Sequence, residues 1–398
     1  MTSLWRDHDL RLLVVAKTVS ALGDEAAVLA LTLRLAGTGH GAWSVSALLV
    51  AGFAPLLLMA PIAGLLVDRY DHRRLLVGAG SAQALLCLAL AHTTAQPTVL
   101  VLVGTLGIGQ SVTGATWSAM LVSIVGTARL GAATGIVQAA GTTALIMAPA
   151  LGGVLTGIGG AELVLYLDAA TFVAVTIAGT TIRHRQVTTR KETGESWRIG
   201  FSAIITDSVL RPLCLTLFAF VVLGGMVNVV SVFLIRRTLH AGPAWYGAEG
   251  AVVGAAMVLG SILGARIKGI DGQVRWTLLA LVGLSLSLLG YAISPSVGWV
   301  LAPAVVCGLS NGAMNVCIST VLMTRAPGQA RGRVAAALNG IVAGGFVTSM
   351  LLGGALASVL SPRQVFFAAG LTTLAIPALV VRPILRNVGR ISPLTANE

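Results

Sequence analysis

Two adjacent carboxylates, Asp24 and Glu25, stand in an apolar run that begins near Leu10, and Lys17 precedes Asp24 by seven residues. Carboxylates held away from bulk water can take up and release protons. On a helix, Lys17 and Asp24 share a face, and Thr18, Glu25 and Thr32 form a second stripe about 100° away. Together they make one broad polar face. A charge at the centre of such a helix costs roughly 2.5–3.5 kcal/mol on insertion scales, so its presence points to function. The competing reading is a structural Lys17–Asp24 pair with Glu25 bonded locally. Asp24 is the proton-exchanging group if it escapes Lys17, and Glu25 if the pair is structural.

Other polar groups lie within apolar runs. Asp168 is expected to face inward from the sixth run, in a structural role or as a reserve proton site. Glu249 is expected as a solvated charge near one surface. Asn311, Asn315 and Ser319, spaced i, i+4, i+8, form a polar stripe able to touch a substrate or to bond between helices. Gly308-Leu-Ser310-Asn-Gly312 matches the G-x-S-x-G pattern of serine hydrolases, but it falls in mid-helix rather than on a strand-to-helix turn. All six histidines lie in or beside loops, so such a serine would lack a base within its run. None of the three lysines follows a glycine, which excludes a G-K-[ST] phosphate loop. The four cysteines have no ligand-like spacing. Neither an enzyme, a metal site nor a cofactor is expected.

The elements that must position these groups are membrane helices. Only 10% of the 398 residues are charged and 56% are hydrophobic. A soluble domain carries about 25% charged residues, so too few are present to make a water-facing surface. Runs of about 20 apolar residues, enough to cross a bilayer, recur along the whole chain. Twelve helices are expected near 10–35, 43–67, 75–92, 98–125, 132–156, 161–182, 213–235, 244–265, 275–293, 298–323, 334–357 and 364–381. The first run is too long and too charged for a cleavable signal. Basic residues fall in alternate loops: twenty-one Lys and Arg on the side of both termini, against Arg236, Arg237 and Arg363 on the other. Cytoplasmic loops carry the positive excess, so both termini are placed in the cytoplasm. The net charge of +12 is thus spread over loops rather than gathered on a nucleic-acid-binding face.

The two halves resemble each other at an offset of 200 to 202 residues. Ala42-Trp43 recurs as Ala244-Trp245, Gly64 and Asp71 as Gly264 and Asp271, Arg129 as Arg331, and Leu151-Gly152-Gly153-x-Leu155 as Leu352-Gly353-Gly354-x-Leu356. The fold expected is an all-α membrane protein of two six-helix halves, 1–182 and 213–398, related by a parallel duplication and joined by a cytoplasmic linker, 183–212. Such a duplication implies a substrate site near the midplane between the halves.

The first cytoplasmic hairpin reads Gly64-Leu-Leu-Val-Asp68-Arg69-Tyr-Asp71-His72-Arg73-Arg74. It resembles the signature G-x-L-x-D-R-x-G-R-R of the major facilitator superfamily, with Asp71 at the second glycine and His72 at the first closing basic residue. Ala144-x-x-x-Ala148-Pro149-x-x-Gly152-Gly153 in the fifth span resembles the antiporter signature of that family, with Ala at both early glycines. Asp68-Arg69-Tyr70-Asp71-His72-Arg73-Arg74, Leu167–Phe172, Gly23-Asp24 and Arg331-Gly332-Arg333-Val334 are similar to elements of its drug/macrolide-efflux and siderophore-exporter branch, whose hairpin form is D-R-x-D-R-R. The resemblance implies that Asp68 caps the N-terminus of the eleventh span and closes a cytoplasmic gate, with Arg69, Arg73, Arg74, Arg331 and Arg333 around it. Gly64 is expected at a close helix approach, and Pro149 at a bend. The fourth span, 99–125, has no charge, so a proton relay through an arginine there does not carry over.

The function implied is proton-coupled export of amphiphilic small molecules by a monomer in a bacterial cell (inner) membrane, its partners being the substrate, lipid and protons. The alternatives are a proton-coupled importer and a non-transporting receptor or scaffold. The thin polar inventory favours amphiphilic cargo over sugars or amino acids.

Overall fold

The computed structural model describes residues 8–37, 41–182, 210–325 and 331–388. Its elements are α1 (His8–Gly37), α2 (Ala42–Arg69), α3 (His72–His92), α4 (Gln96–Thr181), α5 (Leu210–Gly225), α6 (Val227–Phe233), α7 (Pro243–Ala265), α8 (Ile270–Ala292), α9 (Leu301–Arg325), α10 (Arg331–Val359) and α11 (Pro362–Val388). A π-turn, Leu234–Thr238, follows α6. The described residues contain helices and no strands, as an apolar solvent requires when every backbone N–H and C=O must be satisfied within its own segment. Nine stretches among the described residues are long and apolar enough to cross a membrane. α1 is not one of them, because Arg11, Lys17, Asp24, Glu25 and Arg34 all lie on it.

Three spans with short loops are expected between Gln96 and Thr181, and three helical arms are found, with kinks in place of loops. The breaks are Gly126, at φ 67°, and the pair Gly159-Gly160, with Gly160 at φ 71°. Positive φ costs glycine little and other residues more, so the chain turns there without a loop. The three resulting arms of α4 are 96–125, 127–158 and 161–181. The seventh span runs from Cys214 to Thr238, its regular hydrogen bonding interrupted at Met226, which keeps a helical φ of −59° and ψ of −24°. Asn228 Nδ2 donates to the Gly225 carbonyl at 3.1 Å, a side-chain intrusion of the kind that interrupts a helical ladder.

The chain divides into two compact units. The first comprises Met1–Thr193 with Ile235–Ala251, the second Gly194–Leu234 with Val252–Glu398. In the first unit, α1, α2 and α3 each pack on α4. In the second, α8 packs on α9 and α11, and α5 on α10. Most of the expected linker, 183–209, lies outside the described residues.

Several arginines close helix ends. The last four carbonyls of a helix lack intrahelical partners and carry partial negative charge. Arg73 donates from Nε to the Gly179 carbonyl at 3.1 Å and from Nη2 to that of Thr180, capping the end of α4. Arg34 reaches the Leu90 carbonyl near the end of α3, and Arg237 that of Ala36 in α1. Arg363 takes the Ser294 carbonyl just past α8. Arg237 and Arg363 are two of the three arginines that stand against the loop-charge pattern, and helix capping is a reason for them to be there. Arg73→Ala is expected to lower stability by about 1–2 kcal/mol, since hydrogen bonds from a charged donor are lost. Thermal unfolding in detergent checks this. Arg73→Lys should restore only part, because one ammonium replaces a planar fork that meets two carbonyls.

Candidate functional site

The first unit gathers a buried polar cluster around Asp24. Gln110, on the first arm of α4, stands beside the Asp24 carboxylate as a polar neighbour. Lys17 is half-buried and makes no ion pair with any described residue. Among the described residues the one ion pair within 4.0 Å is His8–Asp9, at 3.3 Å. The structural Lys17–Asp24 pair considered from the sequence is therefore not formed. Seven residues of helix rise about 10 Å, too far for direct contact along one face. Asp24 is half-buried, while Glu25 beside it is exposed and Ala26 and Ala27 are buried.

Asp168, on the last arm of α4, is 2% exposed. The Cys87 thiol of α3 donates to its Oδ2 at 3.3 Å, and the Thr171 hydroxyl lies 3.2 Å from its Oδ1. Its Oδ1 sits against Gly23, where a Cβ would also meet Thr171 Oγ1 at 2.8 Å. Gly23 thus lets α1 approach close enough to bring Asp168 beside Asp24. Gln83, one turn before Cys87 on α3, is fully buried and neither polar atom of its amide has a partner. Its head lies against Gly109, next to Gln110: a Cβ there would meet Gln83 Cδ at 3.0 Å. Sequence reasoning named Asp24 and Asp168 but missed Gln83, Cys87, Gln110 and Thr171. The signal available was an amide in each of two otherwise apolar runs.

The small residues of the fifth span pack backbone against backbone. A Cβ on Gly152 would lie 3.0 Å from Ala26 Cα, on the turn that carries Asp24 and Glu25. A Cβ on Gly153 would lie 2.9 Å from Gly247 Cα and 3.1 Å from the Pro243 carbonyl. The Pro149 carbonyl faces Gly247 and its ring packs on Gly250, 2.8 Å from the Cβ position there. Ala148 is fully buried. α4 therefore touches both α1 and the N-terminal part of α7 through these residues.

In the α2–α3 hairpin, Asp71 caps α3, its carboxylate accepting from the Arg74 backbone N–H at 3.1 Å. That explains an Asp where the signature has glycine, since Asp is a preferred N-cap. His72 Nε2 lies 3.1 Å from the Val67 carbonyl near the end of α2. Asp68 is exposed, with no hydrogen bond or ion pair among the described residues; Arg69 and Arg74 are exposed as well. Of the arginines around it, Arg73 is turned to the end of α4. Among the described residues nothing lies within 4 Å of a Cβ built on Gly64, so the close approach expected there is absent. Arg331 and Arg333 begin α10, and their side chains lie outside what the structure describes.

In the second unit, Asn315 Nδ2 donates to the side chain of Asn311 at 2.7 Å and to its carbonyl at 3.0 Å. The pair bonds along its own helix, not across to another. Asn315 and Ser319 are exposed. Gly308 and Gly312 of the G-x-S-x-G match press on the backbone of α7 at Val253 and Met257, and the Ser310 hydroxyl is turned to Gly283 of α8. The motif is a helix-packing device. Glu249, expected as a solvated charge, is only 4% exposed, because the residues around it lie in the α4–α7 crossing.

Residues 13–349, and again 213–393, match the family described as Major Facilitator Superfamily. An uncharacterised transporter of that type from Bacillus subtilis, YfiS, is 23% identical over 380 residues, covering 91% of this chain and 89% of the relative. Among solved structures, the nucleoside transporter NupG has a TM-score of 0.78 at 12% identity, covering 95% of this chain and 99% of its own. A bacterial homologue of the human lysosomal transporter Spinster, inward-facing and occupied, has a TM-score of 0.74 at 14% identity, over 98% and 99%. At these identities the two structures share the fold.

Proposed function

The chain belongs to the major facilitator superfamily and is a multi-pass membrane transporter, and from that premise we propose that it is a proton-coupled exporter of amphiphilic small molecules such as drugs, antibiotics or secondary metabolites. The observation that carries this reading is the state of Asp24. Among the described residues its carboxylate has neutral Gln110 beside it and no basic residue within ion-pair distance. A carboxylate without a fixed counter-cation is free to alternate between a proton and a cationic substrate, which is the physical basis of antiport. Exposed Glu25 is the group through which solvent or substrate reaches it. The resemblance of the fifth span to an antiporter signature supports the direction, and its two glycines pack backbone against backbone on α1 and α7.

The finer architecture belongs to the same proposal. It comprises twelve spans in two duplicated six-helix halves, 1–182 and 213–398, with a linker at 183–212 and both termini cytoplasmic, in the efflux branch, working as a monomer in a bacterial cell membrane. The Asn311–Asn315 stripe, accessible on α9, supplies polar contacts to cargo. The test is proteoliposomes loaded with buffer of controlled pH and given a panel of fluorescent amphiphilic cations. An imposed proton gradient should drive dye against its own gradient, in exchange for protons. Dye and protons moving the same way would establish import, and no proton-dependent flux of any cargo would overturn the coupling.

Asp68→Asn is expected to leave insertion and folding intact, since Asp68 is exposed and bonds to nothing described. Capping a helix N-terminus is worth up to about 2 kcal/mol in partly buried geometry. Transport should therefore slow by roughly tenfold or more, at 1.4 kcal/mol per decade. Initial flux per folded transporter is the measurement. Wild-type flux would remove the gate from the account.

A further inference from the structure

Asp24 and Asp168 come from helices far apart in sequence, and their surroundings suggest that they do not act separately. Asp168 is buried against Gly23, one residue from Asp24, and close enough for each charge to act on the other. Cys87 and Thr171 lie against Asp168 and Gln110 against Asp24, and all three are neutral groups. The titratable groups facing the pair are Glu25 on α1 and Cys87 on α3; Lys17 stands nearly two turns away on α1. Two neighbouring carboxylates with only neutral polar partners, and no basic residue within ion-pair distance among the described residues, repel one another. Protonating one removes most of that repulsion.

A second observation shows where a further partner belongs. The Gln83 amide is fully buried with a donor and an acceptor both unmet. A buried polar group is normally bonded. A water molecule fits the need, because it can accept from Nε2 and donate to Oε1, whereas a metal cation could serve only the oxygen. Gln83 lies beside Gly109, between Gln110, which stands beside Asp24, and Cys87, which binds Asp168.

We propose that Asp24, Asp168 and Gln83 form one binding site for a hydrated proton, the two carboxyl groups carrying a single proton between them, with a water molecule held at Gln83. The site bridges α1 and the last arm of α4 through α3. Its role in coupling rests on the export reading above, but its existence does not. Loading and unloading it changes the charge between α1 and α4, and so the force that holds those helices together at Gly23. Glu25 lies at its mouth and is not part of the pair.

Cys87 supplies a reporter, because the S–H stretch of a thiol responds to the charge on its acceptor. The experiment is infrared spectroscopy of the purified, cargo-free full chain across a pH series, with Cys87→Ser identifying the band. The wild-type band should shift in one step. In Asp168→Asn the step should vanish. In Asp24→Asn, which does not touch the thiol, the step should move by about one pH unit or more, the coupling expected of an interacting pair. An unmoved step in Asp24→Asn would overturn the pairing, and no step in wild type would overturn the proton site. A shift on exchanging choline for sodium at fixed pH would overturn it in favour of a metal cation. Should Asp24→Asn fail to fold, Gln110→Met and Gln83→Leu serve in its place, and a step unmoved in both overturns the proposal. Proton-independent transport alongside the expected band behaviour would sink the coupling reading alone. The reverse result would sink only the shared site.

Discussion

In proteoliposomes held at a pH difference of about 1.6 units, Asp24→Asn is expected to collapse the gradient of a singly charged cationic cargo from roughly forty-fold to about one. Exchange of one proton for one singly charged cation moves no net charge, so the drive is the pH difference alone, about 1.4 kcal/mol or tenfold for each unit, and this sets the wild-type limit. The amide cannot exchange a proton, so the drive disappears while the Gln110 contact is kept in neutral form. Downhill exchange of cargo across the same vesicles should persist, and this separates lost coupling from lost folding. Glu25→Gln should reduce the rate of proton release on cargo addition more than its final amount, since Glu25 is exposed and stands at the edge of the cluster. Release undiminished in the double variant would move coupling away from α1, to Asp168 first.

Gly153→Val is expected to abolish transport and to lower thermal stability by several degrees in detergent. The atoms met by the new Cβ are the Gly247 Cα, at 2.9 Å, and the Pro243 carbonyl, at 3.1 Å. Both are backbone, so no rotamer change relieves the contact and the helices must separate. Overpacking costs about 1–3 kcal/mol, occasionally more, and a β-branched residue adds two further carbons in the same place. Gly152→Val should act differently, by pushing Ala26 and with it the turn bearing Asp24 and Glu25. Pro149→Ala is milder: it removes ring contacts with Gly250 and restores one N–H, and is expected to slow conformational exchange while leaving cargo affinity close to wild type. The checks are equilibrium binding and exchange rate measured on the same preparations. Lost affinity with an intact exchange rate in Gly152→Val and Pro149→Ala would make this arm a binding element instead.

Much of the fold was legible because a membrane helix is a local object. In lipid each segment must satisfy its own backbone and present apolar side chains, so class and spans follow from runs such as Ala42–Arg69 and Pro243–Ala265 read one at a time. Turn chemistry was less legible. A loop is expected after residue 125, yet Gly126 alone makes the break. The seventh span reads as one apolar run and Cys214–Thr238 is one, but nothing in hydropathy shows that Asn228 will take a carbonyl of its own turn.

The sequence by itself determined the polytopic membrane class, the resemblance carried by Gly64–Arg74 and Ala144–Gly153, and the presence of carboxylates at helix centres. Those are properties of composition and of spacing along single helices. Only the tertiary structure decided which groups meet. It gave Asp24 a glutamine from α4 in place of Lys17, set Asp168 against Gly23 and Cys87, and turned Arg73 from Asp68 to the end of α4. It also made the glycines of a hydrolase-like motif into helix contacts. These outcomes depend on helix rotation and crossing, fixed by glycine-to-backbone packing between segments distant in sequence, and a one-dimensional pattern of apolar and polar residues leaves both open.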